Sequence, residues 1–319
     1  NLLGFLSSIY VFFIDLIFKN LFLDLGKNKI INYLIFSLIF SSILSITGWS
    51  LSQLNLDLNL TEFKVGWPIY LFERYRSIGF MPTPNMLFFF LSFGYLLIQD
   101  FEIKNKKFIL VFIFFGIFFT FSKSLILFIP LMMLPYVYRY SNRHLLKGYL
   151  FFFLMSVILF NFLTNFIVAP KNTEFFKDHK HSHYMDKDSD PLFENKLLTI
   201  YPSNYAQIKT KSIKIIQDNI FTGIGYNQFK DFNIEEQKFI LGYKPHSSIF
   251  GLVAENGIFS LIIFSLIIFN ILKLNYKKND YYIFVSIFLI LESVNMDIHY
   301  FKILWVFFPL LIFNNKIKN

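Results

Sequence analysis

The chain has 319 residues, 55% of them hydrophobic, 21% aromatic and only 16% charged, where soluble domains carry about a quarter charged residues. Its 46 phenylalanines exceed what one aqueous core buries, which excludes an ordinary soluble globular domain. The lack of cysteine excludes disulfides, thiolate metal sites and a cysteine nucleophile, and the net charge of +9 raises nucleic acid as a partner to be tested against where the charge lies.

The chain opens on Asn1, and residues 1–18 lack the charged leader and small-residue cleavage site of a signal peptide. Apolar runs then predict about nine membrane-spanning helices, at 2–18, 30–48, 85–99, 108–121, 124–138, 148–168, 247–272, 281–298 and 301–313. Five connections share one side of that layout: 19–29, 100–107, 139–147, 273–280 and 314–319. They carry 14 Lys+Arg against 4 Asp+Glu. The two long loops on the other side are balanced, with 3 basic and 3 acidic residues in 49–84 and 11 and 10 in 168–246. Positive charge gathers on the cytoplasmic side of membrane proteins, so both long loops face outward. Basic residues spread over short turns are not a nucleic-acid footprint. The expected fold is an all-α integral membrane protein. It divides into six spans (1–168), a large external loop with an amphipathic helix (169–246) and three spans (247–319).

Along the chain, the first chemical cluster is "ERYRSIGFMPTPNM" at 73–86. Arg74 and Arg76 point the same way from an extended backbone, and guanidinium forks match phosphate oxygens; lipid headgroups at a membrane edge fit the pair as well. Pro82 and Pro84 keep the chain out of helix until Asn85. Ser122-Lys123-Ser124 marks a second outer turn, its lysine suited to phosphate or headgroups. In the large loop His179, His181 and His183 alternate beside Asp178 and Asp186. That pattern raises a metal site, but its charge and low hydrophobicity read as a solvated His-rich segment.

The stretch 203–219 carries Ile208, Ile215 and Ile216 at helical spacing, with Lys211 and Lys214 expected roughly opposite. Ser203 or Asn204 caps this amphipathic helix, which is expected on the membrane surface. "GIGYNQF" at 223–229 reads as a tight turn; a lone Gly-x-Gly without strand–helix context is no nucleotide fingerprint. Polar sequence then gives way to an apolar run at "GYKPHSSIFGLVAENG", 242–257. Histidine suits proton transfer near neutral pH, while a histidine at a membrane edge also simply snorkels. Glu255, nine residues on, points away from His246 along a regular helix. An intramembrane carboxylate is either functional or paired with another helix. Glu292, Asn295, Asp297 and His299 gather at the outer end of the eighth span, where Asp297 or His299 faces the same external side as His246 or belongs to a hydrated turn. Asp15 has no evident partner.

Taken in order, these pieces resemble the O-antigen ligase/polymerase superfamily of bacterial envelope glycosyltransferases. Arg76-x-x-Gly79-Phe80 leading to Pro84-Asn85 is similar to that family's Arg-Gly…Pro-Asn element. Thr120-x-Ser122-Lys123-Ser124 is similar to its Thr-x-Ser-Arg turn, with lysine for arginine. Gly223-x-Gly225-x-x-x-Phe229 followed by His246…Glu255-x-Gly257 resembles the end of its large periplasmic loop and the next span. The resemblance implies a C-type glycosyltransferase fold in the bacterial inner membrane, with the large loop periplasmic. Its donor would be an undecaprenyl-diphosphate-linked oligosaccharide, passed to a glycan acceptor with inversion and without cofactor or metal. It implies His246 as catalytic base and Arg76 as a diphosphate ligand, to which adjacency adds Arg74. The family's loop arginine falls near Tyr205 here, and this loop has no arginine; Lys209 or Lys211 is expected to supply that charge. Lys123, Glu255 and Asp297 are expected in supporting roles. A polymerase of surface polysaccharide is the leading expectation, and a ligase onto lipid A–core the alternative. Other envelope polysaccharide assembly proteins are further expected partners. A flippase of lipid-linked glycans is the rival from another class, though the deep carboxylates Asp15, Glu255 and Glu292 show no inverted repeat.

Overall fold

The computed structural model describes residues 27–56, 58–65, 73–99, 101–140, 143–170, 191–232, 242–275 and 280–296. The expected first and ninth spans, Asp15, the His179–His183 run, Asp297 and His299 lie outside these residues, as does the side chain of Arg74.

Helix dominates. In chain order the elements are α1 (Lys27–Gln53), a hairpin of β1 (Thr61–Val65) and β2 (Glu73–Ser77), α2 (Pro84–Ile98), α3 (Lys106–Phe118), α4 (Leu125–Tyr140) and α5 (Arg143–Asn165). There follow β3 (Phe166–Pro170), β4 (Phe193–Glu194), β5 (Leu198–Pro202), α6 (Asn204–Asn219), α7 (Ser248–Asn256), α8 (Ile258–Asn275) and α9 (Asp280–Asn295). Lys29–Gln53 and His144–Asn165 are long and apolar enough to cross a membrane. Four shorter apolar helices, Pro84–Ile98, Leu125–Leu134, Ile258–Asn270 and Ile283–Val294, fall short of the roughly 20 residues that about 30 Å of hydrocarbon requires.

α2 is the central helix. It starts where the sequence dictates: Thr83 caps it through its hydroxyl, which accepts from the Met86 amide at 3.3 Å, and Pro84 occupies the first turn. Nearly every following residue is buried, from Leu87 to Ile98. Phe88, Phe128 and Phe288, all fully buried, join α2, α4 and α9 with ring centroids 5.9, 6.3 and 6.0 Å apart. α5 is the contrast. Leu150, Phe151, Leu154, Ile158 and Leu159 are all exposed along it, an apolar surface suited to lipid.

The mostly helical chain also holds two small sheets, the antiparallel β1–β2 hairpin and a three-stranded sheet ordered β3-β5-β4. Three expectations are corrected. The expected sixth span, 148–168, ends in strand, because Phe166–Pro170 pairs with Leu198–Pro202.

The expected seventh span, 247–272, is two helices broken at Gly257, whose φ is +78°. Backbone from the Gly223–Gly225 turn occupies the space at the break. A Cβ on Gly257 would lie 2.0 Å from the Phe221 carbonyl oxygen, and one on Gly223 would lie 2.3 Å from the Glu255 carbonyl carbon. In exchange, the amides of Ile224 and Gly225 cap the Ala254 and Glu255 carbonyls at 3.0 and 2.8 Å. The Ile258 amide donates to Ile220 at 2.8 Å. The break is therefore satisfied group by group, and the glycine turn serves as a cap.

Lys211 is the third correction. It stands three residues after Ile208 and four before Ile215, which places it within the apolar face of α6. Ile208, Lys211, Ser212 and Ile215 are buried together. This face packs against α7 around Phe229 and Ala254 rather than lying open toward a membrane surface.

Candidate functional site

β2 is extended, as the Arg74–Arg76 spacing predicts, and pairs Arg76 with Glu62 and Arg74 with Lys64. Arg76 is 6% exposed. Its Nε donates to the Thr120 carbonyl at 3.2 Å and its Nη2 to Asn85 Oδ1 at 3.0 Å. Ser122 Oγ donates to the same Asn85 oxygen at 3.1 Å. The two sequence elements 76–85 and 120–124 thus meet through side chains.

The turn 120–124 is the hub. It reverses the chain through Phe121, whose φ is +44°, and Thr120 Oγ1 accepts from the Ser122 amide at 3.3 Å. Each of its polar residues then holds a different part of the molecule. Thr120 takes Arg76 and Ser122 takes Asn85. Ser124 Oγ donates to Glu292 Oε2 on α9 at 3.1 Å. Lys123 Nζ donates to the Leu163 carbonyl at 3.2 Å and sits 5.1 Å from the centroid of the Tyr205 ring.

Tyr205 connects the hub to His246. The two rings are 5.0 Å apart, and Tyr243 flanks His246 at 6.4 Å. His246 takes φ +50°, a left-handed conformation that costs a non-glycine residue about 1–2 kcal/mol. It is held there from both sides. Pro245 is buried, and Ser247 caps α7 by accepting from the Phe250 amide at 3.3 Å. Strain of this kind clusters at functional sites.

The end of α5 gathers more positive charge. Lys209 Nζ donates to Asn165 Oδ1 at 2.9 Å, two residues from the Leu163 carbonyl that Lys123 reaches. Exposed carbonyls and the helix dipole favour cations there. Ser203 ties α6 to the same end, its hydroxyl donating to Thr164 at 2.7 Å and its amide to the Asn165 carbonyl at 2.9 Å. Burial lowers Lys209 from the usual 10.5 to about 8.

Lys211 and Glu255 lie elsewhere, on the two sides of one peptide. Lys211, 1% exposed, donates to the Phe229 carbonyl at 2.9 Å, while Glu255 Oε1 accepts from the Phe229 amide at 3.2 Å. Desolvation lowers Lys211 to about 8 against the opposing attraction of Asp231. These two side chains anchor the turn that caps α7. Among the described residues no group of three or more His, Cys, Asp or Glu is placed to hold a metal ion. In the sequence Tyr205 stands only where the family's loop arginine falls and Glu292 only as a deep carboxylate; the bond between Glu292 and Ser124 spans 168 residues and has no local signal.

A buried arginine, two lysines at one helix end and a left-handed histidine, set among apolar helices, define a polar site in a helical protein of membrane type. Residues 108–265, about half of the chain, match the family model described as O-antigen ligase. The chain belongs to the O-antigen ligase/polymerase superfamily, whose members are membrane proteins that transfer glycans. The matched stretch contains the turn 120–124, Tyr205, Lys209 and His246; Arg76 and Glu292 lie outside it. No curated protein and no solved structure matches the chain.

Proposed function

We propose that this protein is an inverting membrane glycosyltransferase, most simply a polymerase of surface polysaccharide, that moves a glycan from undecaprenyl diphosphate to an acceptor hydroxyl on the periplasmic side of the inner membrane. The observation that carries this reading is a chain of contacts: Arg76 is held on the turn 120–124, Lys123 of that turn meets Tyr205, and Tyr205 meets His246. The fold goes with it: a C-type glycosyltransferase of about nine spans, with the region 169–246 inserted as an external loop.

In this mechanism the lipid-borne donor enters between helices with its diphosphate at the membrane–water boundary. Arg76, oriented by Thr120 and Asn85, and Lys209, held on Asn165, stabilise the charge that develops on the leaving diphosphate. Arg74 adds a second guanidinium from the same strand. Lys123 supports the site from the hub, and Asp297 is assigned to the same external side. His246 removes the proton from the acceptor hydroxyl as that oxygen attacks the anomeric carbon. The carbon–oxygen bond to diphosphate breaks in the same displacement, so the anomeric centre inverts. Neither metal nor cofactor takes part.

A polymerase joins one lipid-linked unit to another and needs no dedicated surface for lipid A–core. The description of the matching family as O-antigen ligase favours the second reading, transfer onto lipid A–core. One assay tests both. Purified protein is given a defined undecaprenyl-diphosphate oligosaccharide with and without lipid A–core. Elongation of the lipid-linked glycan alone identifies a polymerase, and product only with lipid A–core identifies a ligase. No product in either arm overturns the proposal and favours a transporter of lipid-linked glycans.

A further inference from the structure

Glu292 is a fully buried carboxylate that the chemistry above leaves unassigned. Its Oε2 accepts from Ser124 at 3.1 Å, and its Oε1 is buried with no hydrogen-bond partner. Such a group is costly. Packing alone does not call for it, because one turn earlier α9 fills the same core with Phe288.

The end of α9 also seats the segment that follows His246. The Ser293 carbonyl accepts from Ser247 Oγ at 3.3 Å, and the Met296 carbonyl accepts from both the amide and the hydroxyl of Ser248 at 3.0 Å. The contacts therefore close a ring. Lys123 meets Tyr205, Tyr205 meets His246, and the next two residues dock on the end of α9. From there Glu292 returns to Ser124, the neighbour of Lys123.

We propose that Glu292 is a positioning residue: its carboxylate, on the helix end that seats residues 247–248, holds the turn bearing Lys123 at a fixed spacing from the loop bearing His246. The proposal rests on the transfer reading for its kinetic consequence, but its geometry is independent of the substrate. Misplacement of a reacting group by about 1 Å costs on the order of 100-fold in rate, so a clamp between two parts of one site acts on turnover more than on binding.

The test uses the full chain in detergent with Glu292→Leu, Glu292→Gln, Ser124→Ala and the double variant Ser124→Ala/Glu292→Leu. Two readouts are taken, glycan transfer with kcat and donor KM separated, and the rate of diethylpyrocarbonate modification at His246 by mass spectrometry. Glu292→Leu is expected to lower kcat by about 10–100-fold with donor KM within about 2-fold, and to change the His246 modification rate by about 3-fold or more. Glu292→Gln, which still accepts from Ser124, restores most of both. Ser124→Ala moves both in the same direction, and the double variant is no worse than the more severe single one, as partners in one contact require. Should Glu292→Leu fail to fold, Ser124→Ala with its partial rescue by Ser124→Thr carries the test. Wild-type kcat and wild-type His246 reactivity in Glu292→Leu, or effects that multiply in the double variant, overturn the clamp. A wild-type protein that transfers no glycan sinks the transfer reading instead, while the modification rates still decide the clamp.

Discussion

The arginine side and the histidine side of this site are made rigid by different means. Arg76 is bonded into place: its guanidinium is tied to Thr120 and Asn85, and the next residue, Ser77, donates through its hydroxyl to Ser45 at 2.7 Å and through its amide to Phe119 at 3.0 Å. His246 is pinned by backbone geometry, with a left-handed φ between a buried proline and a capped helix, and its ring neighbours two tyrosines. The difference suits the proposed jobs. A group that stabilises charge must hold a permanent cation still. A base must present one nitrogen while it gains and loses a proton.

The strongest way to break this contrast is to remove the histidine. His246→Ala is expected to reduce glycan transfer by about 10²–10⁴-fold, the range for loss of a general base, measured as the initial rate of purified protein. His246→Gly sharpens it. Glycine is equally inactive but accepts a positive φ, so it should be more stable than the alanine variant by about 1 kcal/mol in denaturant unfolding. Equal stability of the two would mean that φ +50° carries no strain.

Next in size is the glycine turn under the histidine side. At Gly223 the φ is +63° and an added Cβ meets the Glu255 backbone at 2.3 Å, with no flexible side chain to yield. Gly223→Ala is expected to destabilise the protein by about 3 kcal/mol, seen as a lower melting temperature in detergent. The arginine side is expected to tolerate a change of shape better than a change of charge. Arg76→Lys should lose about 10-fold in kcat/KM and Arg76→Ala about 100-fold, as a point charge cannot bridge Thr120 and Asn85 while facing a diphosphate.

The same two sides differ in how much the sequence reveals. The cap of α6 at Ser203, the extended run at Arg74–Arg76 and the start of α2 after Pro82 follow from local chemistry, and local chemistry is what a sequence displays. The break at Gly257 is only hinted at by Glu255-Asn256-Gly257 within the apolar run, because the backbone of residues 221–225 that fills it arrives from outside. The burial of Lys211 is legible only by phase, since a residue three after Ile208 belongs to the apolar face whatever its charge. The sheet strand at Phe166 is hidden by hydropathy that suits helix and strand alike. Glu292 and Ser124 meet across 168 residues, which is tertiary information.

The two loop lysines give the finest version of the comparison, because burial brings both to about 8 while their partners differ. Between about pH 8 and the usual 10.5 the unfolded chain holds a proton on each that the folded chain has released, so stability rises with pH through that window. Lys211→Met should flatten part of that rise in denaturant titrations, since its ammonium is buried against the Phe229 carbonyl and ring and attracted by Asp231. Lys209 should appear in binding. As pH passes about 8 it loses the charge proposed to face the diphosphate, and donor KM should rise by a few-fold between pH 7 and 9. Lys209→Arg, charged throughout, should abolish that rise, and Lys211→Met should leave it. A KM that climbs identically in Lys209→Arg would remove Lys209 from the diphosphate site and return the whole of that role to the arginine side.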